Sequence, residues 1–371
     1  MIFAELWFLE FLVLTVAAVW VTPSRFRRFV LLAACAFFHA HYAGPAGMAP
    51  IIVLAALVYF AFSASDKVRI AVIATSVAAL VYFKYAGFLN DTLGSQITVV
   101  AAPLAISFFV FEFVHLLSDK SHGKVKVKKL DPIDFSLFTI FFPSLASGPI
   151  KRFQQFQPEI SRLGRPPLAL LEQSLVRILL GYYKKFVIAD ALAHEIPISD
   201  PSSIWHGSVF TLSLLLAFRI YLDFSGYSDI AIGFAGLLNI RLPENFSFPY
   251  LATSISQFWN RWHISLSTWI RDYIYIMMGG NRHGNFRRFG NLCVAMLLCG
   301  LWHGAAMHFG VWGLSQGAAL ITAQFWRQYS PVRIPAALGW AMTFFFVQLT
   351  WLIFFYDGKQ VLALLQARPF F

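Results

Sequence analysis

Two histidines offer this chain's best prospects for chemistry. His303 closes an apolar run in Cys299-Gly300-Leu301-Trp302-His303-Gly304-Ala305-Ala306, with small residues close by. Gly300 and Gly304 stand four apart, a spacing that lets two helices approach closely. A neutral imidazole with room beside it can accept a proton from a hydroxyl group, and desolvation favours that neutral form. The other reading of His303 is a packing histidine bonded to a carbonyl. His263 lies in the segment 256–273. On a continuous helix Ser256, Asn260, His263, Ser267 and Arg271 share one side, and Phe258, Trp262, Leu266, Trp269 and Tyr273 another. In lipid such a polar stripe faces protein or water; alternatively the helix lies in the interface with that side in the headgroups. Spacing alone leaves both open.

No rival set of catalytic parts competes. The chain has no Gly-x-Ser-x-Gly elbow, no phosphate-binding loop and no His-Glu-x-x-His site. His303 and His308 are five apart, a poor match to the spacing that brings two ligands together on a helix, so no metal is expected. His39, His41, His122, His194, His206 and His283 fall at span ends or in loops. His115 and His308 sit in apolar helices, where a satisfied core histidine is the default. Cys35, Cys293 and Cys299 all lie in apolar runs and read as packing residues.

The elements that must position these groups are membrane helices. Of 371 residues 58% are hydrophobic and 13% charged, and the mean hydropathy is +0.65, well outside the soluble range. Forty Phe and eleven Trp suit lipid and its interface. The net charge of +11 is spread through short loops between apolar runs, which points to topology control and anionic lipid rather than nucleic acid. Spans are expected near 2–21, 29–45, 49–64, 69–88 and 97–117, the first retained rather than cleaved as a signal. Arg25, Arg27 and Arg28, then Lys67 and Arg69, then Lys120 to Lys129 alternate with loops lacking basic residues. One topology satisfies all five loops, with the N-terminus extracytoplasmic and the chain in the inner (plasma) membrane.

The count then breaks. Residues 135–150 are apolar, yet Lys151, Arg152, Arg162 and Arg165 follow, and Pro143, Gly148 and Pro149 interrupt any helix. A re-entrant segment satisfies both facts and predicts a cavity beside it. Residues 168–194 read as a tilted or interfacial helix. Residues 205–240 read as two helices holding an internal Arg/Asp network of Arg219, Asp223 and Asp229, either functional or a register device. Residues 241–288 read as interfacial or plugging helices, and further spans are expected near 289–304, 306–326 and 335–356. The fold class is therefore all-α: a polytopic membrane protein of about 9–11 tilted transmembrane and re-entrant helices, forming one domain over 1–371 with N-terminal spans to 130, a core over 131–320 and a C-terminal span. No internal repeat is visible, which weakens a transporter built from inverted halves.

Several stretches together resemble the membrane-bound O-acyltransferase family, closest to its bacterial branch of alginate O-acetyltransferases and the teichoic-acid D-alanyl transfer protein. They are Phe142 to Ile150, Tyr221 to Asp229, Gln257 to Tyr273, Gly279-Gly280-Asn281-Arg282 and Gly300 to Ala305, in the family's order over roughly 135–320. The resemblance implies that His303 is the catalytic histidine and that His263 holds the second signature position. It also implies a ring of tilted helices around a central funnel, with the histidine at a thin septum. Asn260, Ser267, Trp269, Arg271, Trp302, Tyr221 and Asp223 are expected to line that funnel or bind substrate. Ala305-Ala306-Met307-His308 departs from the more polar run of many relatives, which bears on the acceptor rather than the reaction.

An acyl thioester, on an acyl-carrier protein or coenzyme A, is the expected co-substrate, with no bound cofactor. Lys124, Lys126, Lys128, Arg282, Arg287 and Arg288 are candidates to dock it, although topology control explains those charges equally well. Expected partners are membrane lipid, the thioester carrier and an extracytoplasmic acyltransferase. A transporter of the acyl donor and a non-catalytic transfer scaffold are the rival readings.

Overall fold

The computed structural model describes residues 5–145, 148–197, 201–282 and 284–371, so the start of the first expected span, Ala146 and Ser147 of the re-entrant segment, and His283 lie outside it. Among the described residues the regular structure is helical throughout. In chain order the helices are α1 (Leu6–Val21), α2 (Ser24–Phe62), α3 (Asp66–Leu93), α4 (Ile106–Ser121), α5 (Pro132–Ile140), α6 (Phe142–Leu145), α7 (Phe153–Ile160), α8 (Leu168–Tyr182), α9 (Asp190–Glu195) and α10 (Pro201–Ile204). They continue with α11 (Val209–Leu237), α12 (Ile255–Trp259), α13 (Ile264–Ile270), α14 (Gly284–His303), α15 (Met307–Tyr329), α16 (Ala336–Phe355) and α17 (Gly358–Ala367). Four of them, α2, α3, α11 and α16, are long and apolar enough to cross a membrane, and the chain is a multi-pass membrane protein.

Local chemistry explains where these helices stop. Gly44 interrupts α2 with φ 63° and ψ 175°, at the Gly-Pro pair expected to separate two spans. The expected span at 97–117 starts late: Gly94 ends α3 in the left-handed conformation, the Asn90 amide holds both backbone groups of Ile97, and regular helix resumes only at Ile106. The two helices expected within 205–240 are one, α11. Its late glycines are packing surfaces rather than breaks, because a Cβ on Gly233 would meet the Ser174 carbonyl and Ile178, and one on Gly236 would strike the Ser174 hydroxyl. Beyond the last expected span, Asp357 and Gln360 form a reciprocal capping box that starts α17.

The chain divides into two compact units. The first holds Met1–Gly181 with Tyr227–Pro243. Its centre is an aromatic cluster in which Phe8, Phe11 and Phe38 pack on Phe142, with ring centroids 5.2–6.4 Å apart. These rings pack beside the described part of the re-entrant segment, where Phe141, Phe142, Pro143 and Ser144 are buried. A cavity of about 440 Å³ does occur in this unit, lined by Ser24, Arg25, Arg27, Arg28 and residues 160–163, and it contains none of the expected site residues.

The second unit holds Tyr182–Gly226 with Glu244–Phe371. Here α14 and α15 pack with almost no space between backbones. A Cβ on Gly300 would strike the Phe309 carbonyl, one on Gly313 the Met296 carbonyl, and one on Gly304 the Phe309 ring. The four-residue glycine spacing thus serves the close approach expected of it, and it places His303 at the last turn of α14 against α15.

Candidate functional site

The segment 256–273 is not the continuous helix that its periodicity suggests. Ser254 caps α12 through the Gln257 N–H, and α12 ends at Trp259. The chain then turns, and His263 takes φ 43° and ψ 55° before α13 begins. A non-glycine residue in the left-handed region costs about 1–2 kcal/mol, so the surrounding bonds must hold it there. This turn dissolves the polar stripe. Asn260 is exposed, Arg271 is exposed and paired with Asp272, and Ser267 bonds to the Trp262 carbonyl, whereas His263 is 1% exposed. Trp269 is buried and packs on Tyr273 at 5.5 Å.

A residue that periodicity could not find holds the turn in place. Asn245 is wholly buried, and its backbone carbonyl accepts from the Ile264 N–H at 2.9 Å. Its side-chain Oδ1 accepts from the Ser265 N–H at 3.2 Å and the Ser265 hydroxyl at 2.7 Å, and lies 3.2 Å from His263 Nδ1. The first free N–H groups of α13, those of Ile264 and Ser265, are thus satisfied by Asn245 rather than by the residue before the helix. The only sequence signal is an asparagine in a proline-bounded turn, and turn polarity alone does not single it out.

Aromatic rings enclose the two histidines. Phe224 meets the His263 ring edge-on at 4.6 Å, and Trp302 lies 5.9 Å from it. The same Trp302 ring stands 4.7 Å from His303, whose other neighbours are Phe354 at 4.9 Å, Trp312 at 5.4 Å and Phe309 at 6.4 Å. The structure therefore brings His263, Trp302 and His303 together. His303 is half-buried and so remains reachable, while His263 Nε2 is buried with no hydrogen-bond partner. Burial, reinforced by the adjacent His303, holds the His263 imidazole well below the ordinary histidine value, so it is neutral at physiological pH. An orphaned ring nitrogen at such depth costs about 1–3 kcal/mol, which a site repays when a ligand occupies it.

The remaining expected residues are spread more widely. Tyr221 packs in the aromatic layer with Phe246, Tyr250 and Trp262. Asp223 pairs with Lys185 at 2.6 Å, and Lys185, 2% exposed, also reaches Asp190 at 2.6 Å. Lys185 belongs to a π-helical stretch (Tyr183–Ala189) after α8. Asp229 pairs with Arg177 at 2.9 Å in the first unit. Both acids thus pair with bases from the 168–194 segment, and Arg219 lies over the Phe355 ring at 5.5 Å. Lys124, Lys126 and Lys128 are exposed in the first unit, with Lys124 3.3 Å from Asp119. Arg282 and Arg287 are exposed in the second, where Arg288 bonds Gln328.

Comparison with known proteins identifies the family. Residues 51–366 match the membrane-bound O-acyltransferase family model. A probable alginate O-acetylase of Azotobacter vinelandii is 34% identical over 97% of this chain and 76% of its own length. A peptidoglycan O-acetyltransferase of Helicobacter pylori is 33% identical over 75% of this chain and 60% of its own length. A teichoic acid D-alanyltransferase of Streptococcus thermophilus is 29% identical over 68% of each. Several of these relatives are longer than the chain, which spans 57% of the alginate O-acetylase of Pseudomonas aeruginosa. With the family model covering most of its length and His263 and His303 brought to one Trp302 ring, the chain belongs to the membrane-bound O-acyltransferase family.

Proposed function

We propose that this protein is an O-acyltransferase that moves an acyl group, acetyl or D-alanyl, from a cytoplasmic thioester to a hydroxyl of an extracytoplasmic cell-envelope polymer or of a relay partner. The observation that carries this reading is the reachable His303 beside the buried, neutral His263, with Trp302 in contact with both rings. His303 removes the hydroxyl proton as the oxygen attacks the thioester carbonyl. The tetrahedral intermediate then expels the thiolate, which takes the proton from the imidazolium, leaving an ester and a free thiol. A positioned base typically contributes about 10²–10⁴-fold.

Trp302, Tyr221 and Trp269 supply apolar walls, and Asp223, Ser267 and Arg271 polar groups, along the substrate path. The donor is an acyl-carrier protein or a coenzyme A thioester, drawn by the basic residues Lys124, Lys126 and Lys128 of the first unit and Arg282, Arg287 and Arg288 of the second. The whole chain, 1–371, acts as one membrane-embedded catalytic domain in the inner membrane, with its N-terminus extracytoplasmic, and hands its product to the polymer or to an extracytoplasmic acyltransferase.

The test is reconstitution of the purified chain in proteoliposomes with radiolabelled acetyl or D-alanyl thioester on one side and polymer on the other. Labelled ester on the polymer, or slow thioester hydrolysis without polymer, is expected. Transmembrane flux of intact donor with no cleavage would identify a transporter, and no turnover until a second acyltransferase is added would identify a scaffold.

A further inference from the structure

The hydrogen bonds around Asn245 assign a proton within the site. The Ser265 main-chain N–H can only donate, and the Asn245 side-chain atom that it meets at 3.2 Å must therefore be the amide oxygen. The Ser265 hydroxyl reaches the same atom at 2.7 Å, as it can when donating. This removes the usual ambiguity between the two ends of an asparagine amide. That oxygen also lies 3.2 Å from His263 Nδ1, so Nδ1 must be the donor. A neutral imidazole with its proton on Nδ1 has a bare lone pair on Nε2, and Nε2 is the atom that is buried without a partner.

From this geometry we infer that Asn245 is a positioning residue that fixes His263 in the Nδ1–H tautomer, so that His263 Nε2 accepts a hydrogen bond from a second hydroxyl of the acceptor substrate, beside the one that reacts, and cannot donate one to an oxyanion. The inference rests on the acyl-transfer reading for the identity of the hydroxyl, but the tautomer itself does not depend on that reading. It separates the roles of the two histidines. His303, at the reachable end of α14, is left to remove the proton of the reacting hydroxyl, while His263 holds its neighbour on the same substrate. Oxyanion stabilisation, which needs a donor, falls to other groups. The arrangement also accounts for the left-handed backbone of His263. Only there does the ring turn back to Asn245 while the next two residues hand their N–H groups to the same asparagine, Ile264 to its carbonyl and Ser265 to its Oδ1.

Two measurements on the full-length protein in detergent test this. In ¹⁵N-histidine-labelled protein, the resonances lost in His263→Gln identify His263, and their shifts show which ring nitrogen carries the proton. A protonated Nδ1 with an unprotonated Nε2 is expected, and a protonated Nε2 overturns the inference whatever the protein's activity. In the transfer assay, Asn245→Asp keeps an acceptor for Nδ1 and is expected to retain activity within about tenfold. Asn245→Leu removes it and is expected to lose about 10²-fold, the scale of a misplaced reacting group. Equal loss in the two variants, or equal retention, overturns the positioning role. If the unaltered chain transfers nothing while the Nδ1–H tautomer is seen, the transfer reading fails and the tautomer assignment stands.

Discussion

His115 and His263 are both buried, yet they sit in different kinds of surroundings. His115, in α4 of the first unit, has ordinary helical backbone, and its Nε2 accepts the Phe153 N–H at 3.3 Å. Around it, buried charge is met by charge or amide. Glu112 and Lys151, each at most 4% exposed, pair at 2.5 Å, Lys151 also lies over the Phe138 ring, and Gln154 donates to Asp119 at 2.6 Å. His263, in the second unit, has strained backbone, an aromatic shell and a nitrogen with no partner. Burial therefore does not distinguish a structural histidine from a chemical one. What distinguishes them is the left-handed backbone and the aromatic shell at His263, against the helical backbone and charged neighbours at His115.

That contrast can be broken or sharpened by substitution. The largest effect on folding is expected from Lys151→Ala, which leaves Glu112 as a buried charge without its base and should cost about 3–5 kcal/mol. The double variant Lys151→Met with Glu112→Leu should recover most of that loss in thermal unfolding. A single variant as stable as the parent would show that this pair does not hold the first unit together. Next is Gly300→Ala, whose Cβ would strike the Phe309 carbonyl. It should cost about 1–3 kcal/mol and lower transfer by moving the end of α14. Gly290→Ala, which meets nothing within 4 Å, should be silent in both assays. The smallest effect is expected from Asn260→Ala, an exposed position where stability should change by less than about 0.5 kcal/mol and transfer by less than about twofold. A large loss there would restore the polar stripe to the site.

Much of the fold could be read from residue types, because lipid imposes length and apolarity on each span and basic residues mark its ends. The glycines at 300 and 304 signalled a close helix pair, and the Leu-Trp-His-Gly run placed His303 at its tip. The break before α13 could not be read. Phe258, Trp262, Leu266 and Trp269 keep helical spacing across a turn because both short helices bury aromatic faces. Periodicity sees the faces and not the turn between them. Asn245 was hidden for a related reason: its bonds to 263–265 span eighteen to twenty residues and follow no local pattern. Nor did the acids of α11 announce their bases. Arg177 and Lys185 come from a segment whose charges suggested an interfacial helix, and a π-helical stretch carries Lys185.

The most direct test of the proposed chemistry is the initial rate of ester formation by purified, reconstituted His303→Ala, per folded molecule, beside His115→Gln. The proposed role predicts a fall of about 10²–10⁴-fold for His303→Ala with an unchanged thermal transition, and a rate for His115→Gln that follows its folded fraction. A His303→Ala protein that forms ester within about threefold of the unaltered chain would contradict it.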